Sequence, residues 1–436
     1  MKGLVLFGYA KPNRYSWAVL MGYLEHDSTI CDHYDFLPLS FQLYQGPQHK
    51  KELAEISFQK YDIILLAYSL LTIQIPQFTE FNQNYPNFYS QWHPNIISVV
   101  GGPHPTAKPQ DFSFGSNQVD FIIPNEGERA FQELLMALIS QKPDDIDVGR
   151  LNGVARGKSF YIPSKPPILH KLGTSPSFSP KFRLFGPIEI SRGCPFRCKF
   201  CQTGNTSQKM RHAPLEQIIH WVQLGAQIKY DKLWFLTPNA FAYGSKNGVT
   251  PNVEMLYQLL SQVSSIQRIK GLYFGTFPSE VRPESVTDEV METIEPFLAN
   301  RKILLGAQTA SNRLLKLISR GHTIEHIYQA VEILQKYDFK CEIDFIFGLP
   351  GENKEDIEAT INFFEDVLNN RLKNVKIHTH TFMPLPGTPF ENEPKGRIDP
   401  KILEIVGKMA KQGKAYGEHQ AQAGLIPTKF THEKEI

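Results

Sequence analysis

Over the first 140 residues, short apolar runs alternate with longer amphipathic ones. Residues 4–7, 63–67 and 121–123 are continuously apolar and 96–100 is apolar but for Ser98, as strands buried on both faces are, and the stretches between them carry helical spacing. The alternation predicts a parallel sheet covered by helices. Each run ends in turn chemistry: Gly8 to Pro12, Tyr68 to Thr72, Gly101-Gly102-Pro103-His104, and Pro124-Asn125-Glu126-Gly127-Glu128. In an open α/β sheet, such carboxyl-end loops form the ligand crevice. A second series begins at residue 188, with strands expected at 188–190, 233–236, 272–275, 303–306, 343–348 and 376–383. Between them, Ile324, Ile327, Tyr328 and Val331 share a helical face behind the cap residue Thr323, and Ile357, Ile361, Phe364 and Leu368 do so behind Asn353. Six βα units fall short of an eight-fold barrel and predict a partial (β/α)6 barrel.

Glycine and proline divide the two series. Gly153, Gly157, Pro163, Pro166, Pro167, Gly173, Pro176 and Pro180 leave room for little more than a hairpin. The expected organisation of this α/β chain is a doubly wound, Rossmann-like parallel-sheet domain at 1–142, a linker at 143–180, the partial barrel at 181–390, and a short helical C-terminal extension and tail at 391–436. In that extension Lys401, Lys408, Lys411 and Lys414 read as a solvated face or as a cover over the barrel mouth. Lys plus Arg total 46 against 44 Asp plus Glu, a net charge of +2 that gives no reason to expect a nucleic-acid partner. The first residues lack a signal-peptide pattern and no apolar run nears membrane-helix length, so a soluble cytoplasmic protein is expected.

The densest chemistry lies just after the first strand of the second series. Cys194, Cys198 and Cys201 are three of the five cysteines in the chain. Four thiolates hold the cluster of an electron-transfer ferredoxin, so three close cysteines without a fourth read as a tripod that leaves one iron open. Cys31 and Cys341 lie in apolar segments far away in sequence and read as buried hydrophobes. The alternative is a zinc site, which would need a fourth ligand such as His212. His378 and His380 share one face of the last strand, pointing into or out of the barrel. Tyr15, Trp17, Tyr68 and Phe241 read as core.

These residues resemble the signature of the radical S-adenosylmethionine (SAM) superfamily. The three cysteines, with Phe200 before the last, match its cluster motif. Three further segments are similar to its fourth-, fifth- and sixth-strand regions: Leu305 to His322, Asp344 to Glu352, and Phe382 to Pro389. The resemblance implies a [4Fe-4S] cluster on Cys194, Cys198 and Cys201 and reductive cleavage of SAM to a 5′-deoxyadenosyl radical. It also implies that Gln308, Thr309 and Arg320 hold the cosubstrate's polar groups while Phe200, Ile346 and Met383 lie near its adenine. Arg320 suits a carboxylate through its planar fork, and reads equally as a helix C-terminal cation beside Gly321. The first domain resembles the cobalamin-binding domain that precedes many radical enzymes. That resemblance implies cobalamin contacts from Tyr9, Ser69, Thr72, Gly101, Gly102, His104 and Glu126.

Two family features are missing. The Gly-Gly-Glu-like segment after the second strand is replaced by Leu236-Thr237-Pro238-Asn239, which makes Asn239 the nearest substitute for binding the SAM amino group. The AspxHisxxGly pattern that supplies a lower cobalt ligand is also absent, and His104 reads as a substitute ligand, a cofactor-tail loop or an ordinary turn. The expected activity is cobalamin-dependent methylation of an unactivated centre in a small molecule or peptide, with a ferredoxin or flavodoxin as electron donor. Alternatives are a cobalamin-free radical enzyme catalysing cyclisation, rearrangement or oxidation, and an iron–sulfur electron-transfer or sensing protein. Methylthiotransferases in the superfamily hold a second cluster through three N-terminal cysteines, whereas this N-terminal region offers Cys31 alone.

Overall fold

The four apolar runs near the N-terminus are strands, joined by two that the apolar pattern does not mark. In chain order they are β1 (Gly3–Tyr9), β2 (Tyr34–Ser40), β3 (Ile63–Ser69), β4 (Ile96–Gly101), β5 (Phe121–Ile123) and β6 (Ala155–Arg156). The sheet order is β2-β1-β3-β4-β5-β6, parallel except for β6. Pro38 sits inside β2, which an edge strand tolerates because a missing N–H can face the open side. Alternate residues of β1 feed two cores. Val5 and Phe7 meet Trp17 and Met21 of the helix Arg14–Leu24 and Leu134 of Gly127–Ser140, while Leu4 and Leu6 meet Phe78, Phe81 and Phe112.

The computed structural model describes residues 1–9, 13–40, 56–84, 94–158, 165–417 and 419. These form two compact units, Met1–Pro187 and Ile188–Ile436. The Gly- and Pro-rich stretch expected as a linker falls within the first unit, to whose core it adds Val148 and Val154. No helix among the described residues is long and apolar enough to cross a membrane.

In the second unit, β7 (Ile188–Glu189) leads into a small hairpin of β8 (Ser191–Arg192) and β9 (Arg211–His212) that brackets the cysteine loop. Next come β10 (Lys232–Leu236), β11 (Gly271–Tyr273), β12 (Lys302–Gln308), β13 (Lys340–Phe347), β14 (Val375–Thr381) and β15 (Ala415–Gly417). Parallel pairing runs β7-β10-β11 and β12-β13-β14-β15. The Leu304 N–H donating to Gly275 at 2.8 Å and the Gly306 N–H donating to Val281 at 3.1 Å join the two halves into one wall. The wall is thus a partial barrel of seven strands. The six expected strands are all present, and the C-terminal extension supplies the seventh.

Side-chain direction along this wall decides what faces the lumen. Phe345 and Phe347 turn outward onto Phe364 of the helix Lys354–Leu368. Asp344 and Ile346 therefore turn inward. Register sets His378 beside Asp344 and His380 beside Ile346, so both histidines point into the barrel. The helix Lys354–Leu368 begins with a reciprocal capping box between Asn353 and Asp356. Its buried stripe is Asp356, Thr360, Phe363, Phe364 and Val367, whereas Ile357, Ile361 and Leu368 flank it half-buried. That corrects the expected face by about one residue. The helix Pro400–Lys411 buries Ile402, Ile405, Val406 and Met409 and leaves Lys401, Lys408 and Lys411 exposed. Lys414 departs from that solvated series, because its ammonium donates to the Val367 and Leu368 carbonyls at 2.9 Å each.

Candidate active site

The cysteine loop is tied at several points to the loops around the barrel mouth. Asn205 donates to the carbonyls of Cys198 (3.0 Å) and Cys201 (2.7 Å), the Lys199 N–H donates to Ile318 (3.0 Å), and Gln202 donates to Pro386 (2.9 Å). All three thiols are free, with Cys198 buried. Burial pushes the Cys194 thiol up, as do Cys201 and Cys198, against the opposing pull of the Phe196 N–H and Arg282. A cationic metal ionises coordinating thiols outright, so three thiols gathered on one loop are a natural seat for it. Cys341 offers no fourth ligand: it is the second residue of β13, at the strand end remote from these loops, and burial raises its thiol strongly. His212 does not complete a zinc site. Its Nδ1 meets the Ser191 hydroxyl at 2.8 Å and its Nε2 the Ser245 carbonyl at 3.0 Å. The donor set fits a three-thiolate iron–sulfur cluster.

Two buried guanidiniums flank this loop. Arg320 leaves the end of the helix Asn312–Leu317 and turns inward, donating to the Gly306 carbonyl at 2.6 Å and approaching the Cys198 sulfur at 3.6 Å. Its backbone N–H still closes the helix end on the Leu315 carbonyl at 2.9 Å while its side chain points inward. Its Nε is buried without a partner among the described residues. Gly306 makes room for it, since a Cβ there would lie 2.5 Å from the Arg320 guanidinium and 2.9 Å from the Gln308 amide. Gln308 itself has φ 77° at a bulge in β12, which swings its side chain toward the same spot. Thr309 is buried, and its hydroxyl accepts the Ser311 N–H at 3.3 Å. Arg282 lies 3.5 Å over the Phe196 ring, pairs with Glu284 at 2.6 Å, and donates to the Arg320 carbonyl.

The remaining sequence expectations divide. Phe200 and Ile346 share one apolar cluster with Leu314, Ile318 and Phe382, and Met383 follows directly at the end of β14, half-buried. The Asn239 amide nitrogen donates to Ser285 at 3.2 Å and its oxygen accepts the Arg282 N–H at 3.3 Å, so it braces an internal turn. Sequence reasoning passed over Glu280, Arg282 and Glu284, although their charges at every second position signal an extended segment with one polar face. Glu280 is solvent-accessible yet surrounded by protein, so it lines the lumen. Burial and the neighbouring Asp344 carboxylate raise its carboxyl to about 8, against the pull of Arg320. His322 is driven down to about 2 by burial and by Arg320 and Arg282.

In the first unit, the carboxyl-end loops are laced to one another. Asn13 and Gln74 exchange paired amide hydrogen bonds of 2.8 Å between the β1 and β3 loops. The His104 ring is buried, with Nδ1 on the Thr72 hydroxyl at 3.1 Å and Nε2 on Asp111 at 3.2 Å. Both nitrogens are taken, which corrects the reading of that ring as a substitute cobalt ligand. Glu126 accepts the His170 N–H at 2.9 Å. Gly102, at φ 100°, lets the β4 loop close on the β3 loop, where a Cβ would lie 2.7 Å from the Leu70 nitrogen. Gly101 precedes it at the end of β4, its carbonyl accepting the Leu70 N–H at 2.8 Å. The Ser69 hydroxyl beside them is buried with no partner among the described residues. An orphaned hydroxyl and close-approaching backbone suit the polar tail of a cofactor such as cobalamin. The Tyr9 side chain and residues 10–12 lie outside the described residues.

The Radical SAM superfamily profile matches residues 188–364. Among curated relatives, the chain is 28% identical over 313 residues to the tRNA-2-methylthio-N(6)-dimethylallyladenosine synthase of Buchnera aphidicola subsp. Schizaphis graminum, covering 70% of this chain and 64% of that one. The chain thus spans less than two thirds of that relative's length. The cobalamin-dependent SAM radical enzyme OxsB, solved with aqua-cobalamin, superposes with a TM-score of 0.64 at 17% identity over 84% of this chain and 52% of OxsB. The radical SAM methyltransferase TsrM from Kitasatospora setae, solved with cobalamin and a [4Fe-4S] cluster, superposes with a TM-score of 0.66 at 14% identity over 89% of this chain and 77% of TsrM. Those likenesses show a shared fold. With its cysteine tripod at the mouth of a parallel partial barrel, the stretch 188–364 is a radical SAM superfamily domain.

Proposed function

We propose that the protein is a cobalamin-dependent radical SAM methyltransferase acting on an unactivated centre of a small molecule or peptide. The observation that carries the radical half is the Arg320 guanidinium, set against the Cys198 thiol with its Nε unpaired. A [4Fe-4S] cluster held by Cys194, Cys198 and Cys201 would, when bound and reduced, supply the electron for reductive cleavage of SAM. Arg320 binds the SAM carboxylate through its fork. Gln308 and Thr309 take further polar groups of SAM, and Phe200, Ile346 and Met383 form the apolar wall for adenine.

Cobalamin, when bound, supplies a methyl carrier. Support for it comes from the fold shared with OxsB and TsrM, the orphaned Ser69 hydroxyl and the close Gly101-Gly102 backbone. Ser69, Thr72, Gly101, Gly102 and Glu126 would line its polar tail. The curated tRNA-modifying relative favours a second reading, sulfur transfer to RNA. Against it, the first unit has the single cysteine Cys31, whose thiol faces the Leu24 and Glu25 carbonyls.

The test is anaerobic incubation of the reconstituted protein with cobalamin, desalting, and an absorption spectrum. About one corrinoid retained per chain is expected, after which methylated products are sought. A full cluster with no retained corrinoid contradicts the proposal and moves the assignment to a cobalamin-free radical enzyme.

A further inference from the structure

We infer that Asp344, His378 and His380 form a binding site for one divalent transition-metal ion, of the zinc class, on the inner wall of the barrel. The site is separate from the cysteine tripod and does not depend on the methyltransferase reading. It follows from how two adjacent strands are registered. In a strand, residues two apart share a face, so His378-x-His380 presents two imidazoles to the lumen. Parallel register then sets the inward Asp344 directly beside His378.

The three donor atoms have the geometry of a ligand set. His378 Nδ1 lies 2.7 Å from Asp344 Oδ1, His380 Nε2 lies 3.2 Å from His378 Nδ1, and His380 Nε2 lies 3.9 Å from the same Asp344 oxygen. The circle through these atoms has a radius of about 2.0 Å, so an ion slightly above their plane sits at the roughly 2.0–2.2 Å that zinc takes to imidazole and carboxylate. Two ring nitrogens that converge on one oxygen, and approach each other as they do so, are an arrangement a shared cation satisfies.

The surroundings are those of a supported site. The His378 ring is stacked on Tyr416 of β15 at 4.6 Å, and the Tyr416 hydroxyl donates to Glu342 at 2.8 Å, which Lys302 pairs at 2.9 Å. Such outer contacts fix the orientation of a ligating imidazole. Two imidazoles and one carboxylate suit zinc and its first-row neighbours, and three protein ligands leave a coordination position open. Here that position faces the lumen, next to Ile346. A substrate bearing an oxygen or nitrogen donor would be anchored there.

The experiment uses tag-free, cluster-reconstituted protein equilibrated anaerobically with Zn2+ alone, desalted, and analysed for zinc and iron together. One zinc per chain is expected in the parent, falling at least tenfold in His378→Ala and His380→Ala while iron content stays unchanged. Asp344→Asn, close in shape, covers the case in which an alanine variant fails to fold. Zinc K-edge EXAFS of the parent should show only nitrogen and oxygen neighbours near about 2.0 Å. Zinc retained equally by parent and variants, no zinc retained by the parent, or a sulfur shell near about 2.3 Å would each overturn the assignment.

Discussion

The two units differ in which polar side chains near the ends of their strands are left without partners. In the first, Asn13 and Gln74 satisfy each other, and the His104 ring is used up by Thr72 and Asp111. In the second, the Arg320 Nε is buried with no partner among the described residues, and Asp344, His378 and His380 crowd a single point. Buried polar groups ordinarily find partners, so incompletely satisfied ones mark where a ligand belongs. The barrel offers a ligand charged and titratable side chains, whereas the loops of the first unit offer mainly backbone and the Ser69 hydroxyl.

The largest effect expected from this contrast is at the tripod. Cys198→Ala should abolish both the cluster, read as iron content and visible absorption, and all SAM cleavage. Next, Arg320→Ala should lower SAM cleavage roughly a hundredfold with iron content unchanged, because a charged, preorganised donor is removed from a buried site. Arg320→Lys should restore part of the charge and not the fork. An Arg320→Ala variant that cleaves SAM at the parent rate would break the comparison from the barrel side. From the other side, His104→Ala strands the Thr72 and Asp111 groups. It should cost about 2 kcal/mol in urea denaturation of the first unit while leaving cluster content and SAM cleavage untouched.

The smallest effect concerns Glu352, which accepts the Gly348 N–H at 3.0 Å in the turn after β13 and whose carboxyl burial raises to about 7. A raised carboxyl means that the folded state holds a proton the unfolded state has lost. Stability should therefore fall as pH climbs from about 4.5 to 7 and level off above. Glu352→Gln should flatten that part of the pH profile of Tm, and an unchanged profile would exclude Glu352 as its source.

Much of this was legible in the residue pattern, and the exceptions have physical reasons. Of the six barrel strands, those at 233–236, 272–275 and 303–306 stood out as apolar runs, while the other three carry Glu189, Asp344 and His378 among their apolar residues, and the cap residues Thr323 and Asn353 sit where their side chains suggested. β2 was hidden by Pro38 and by its position at the sheet edge, where apolar continuity is not required. β15 was hidden because three residues in a polar extension carry no period. The cysteine tripod could be read directly, since its ligands are neighbours in sequence. Arg282 and Glu280 could not, because only the fold brings them to the cysteine loop and to Asp344. The same holds for the direction of His378 and His380: alternation put both on one face, and only the register against β13 showed which.

The most direct single measurement is the EPR spectrum of the reduced, reconstituted protein with and without SAM, with 5′-deoxyadenosine quantified in the same samples. Three cysteines that leave one iron open predict a cluster signal whose g-values shift when SAM is added, together with 5′-deoxyadenosine formed under strong reduction. A cluster signal indifferent to saturating SAM, with no 5′-deoxyadenosine formed, would contradict the open-iron tripod and leave an iron–sulfur electron-transfer or sensing protein in its place.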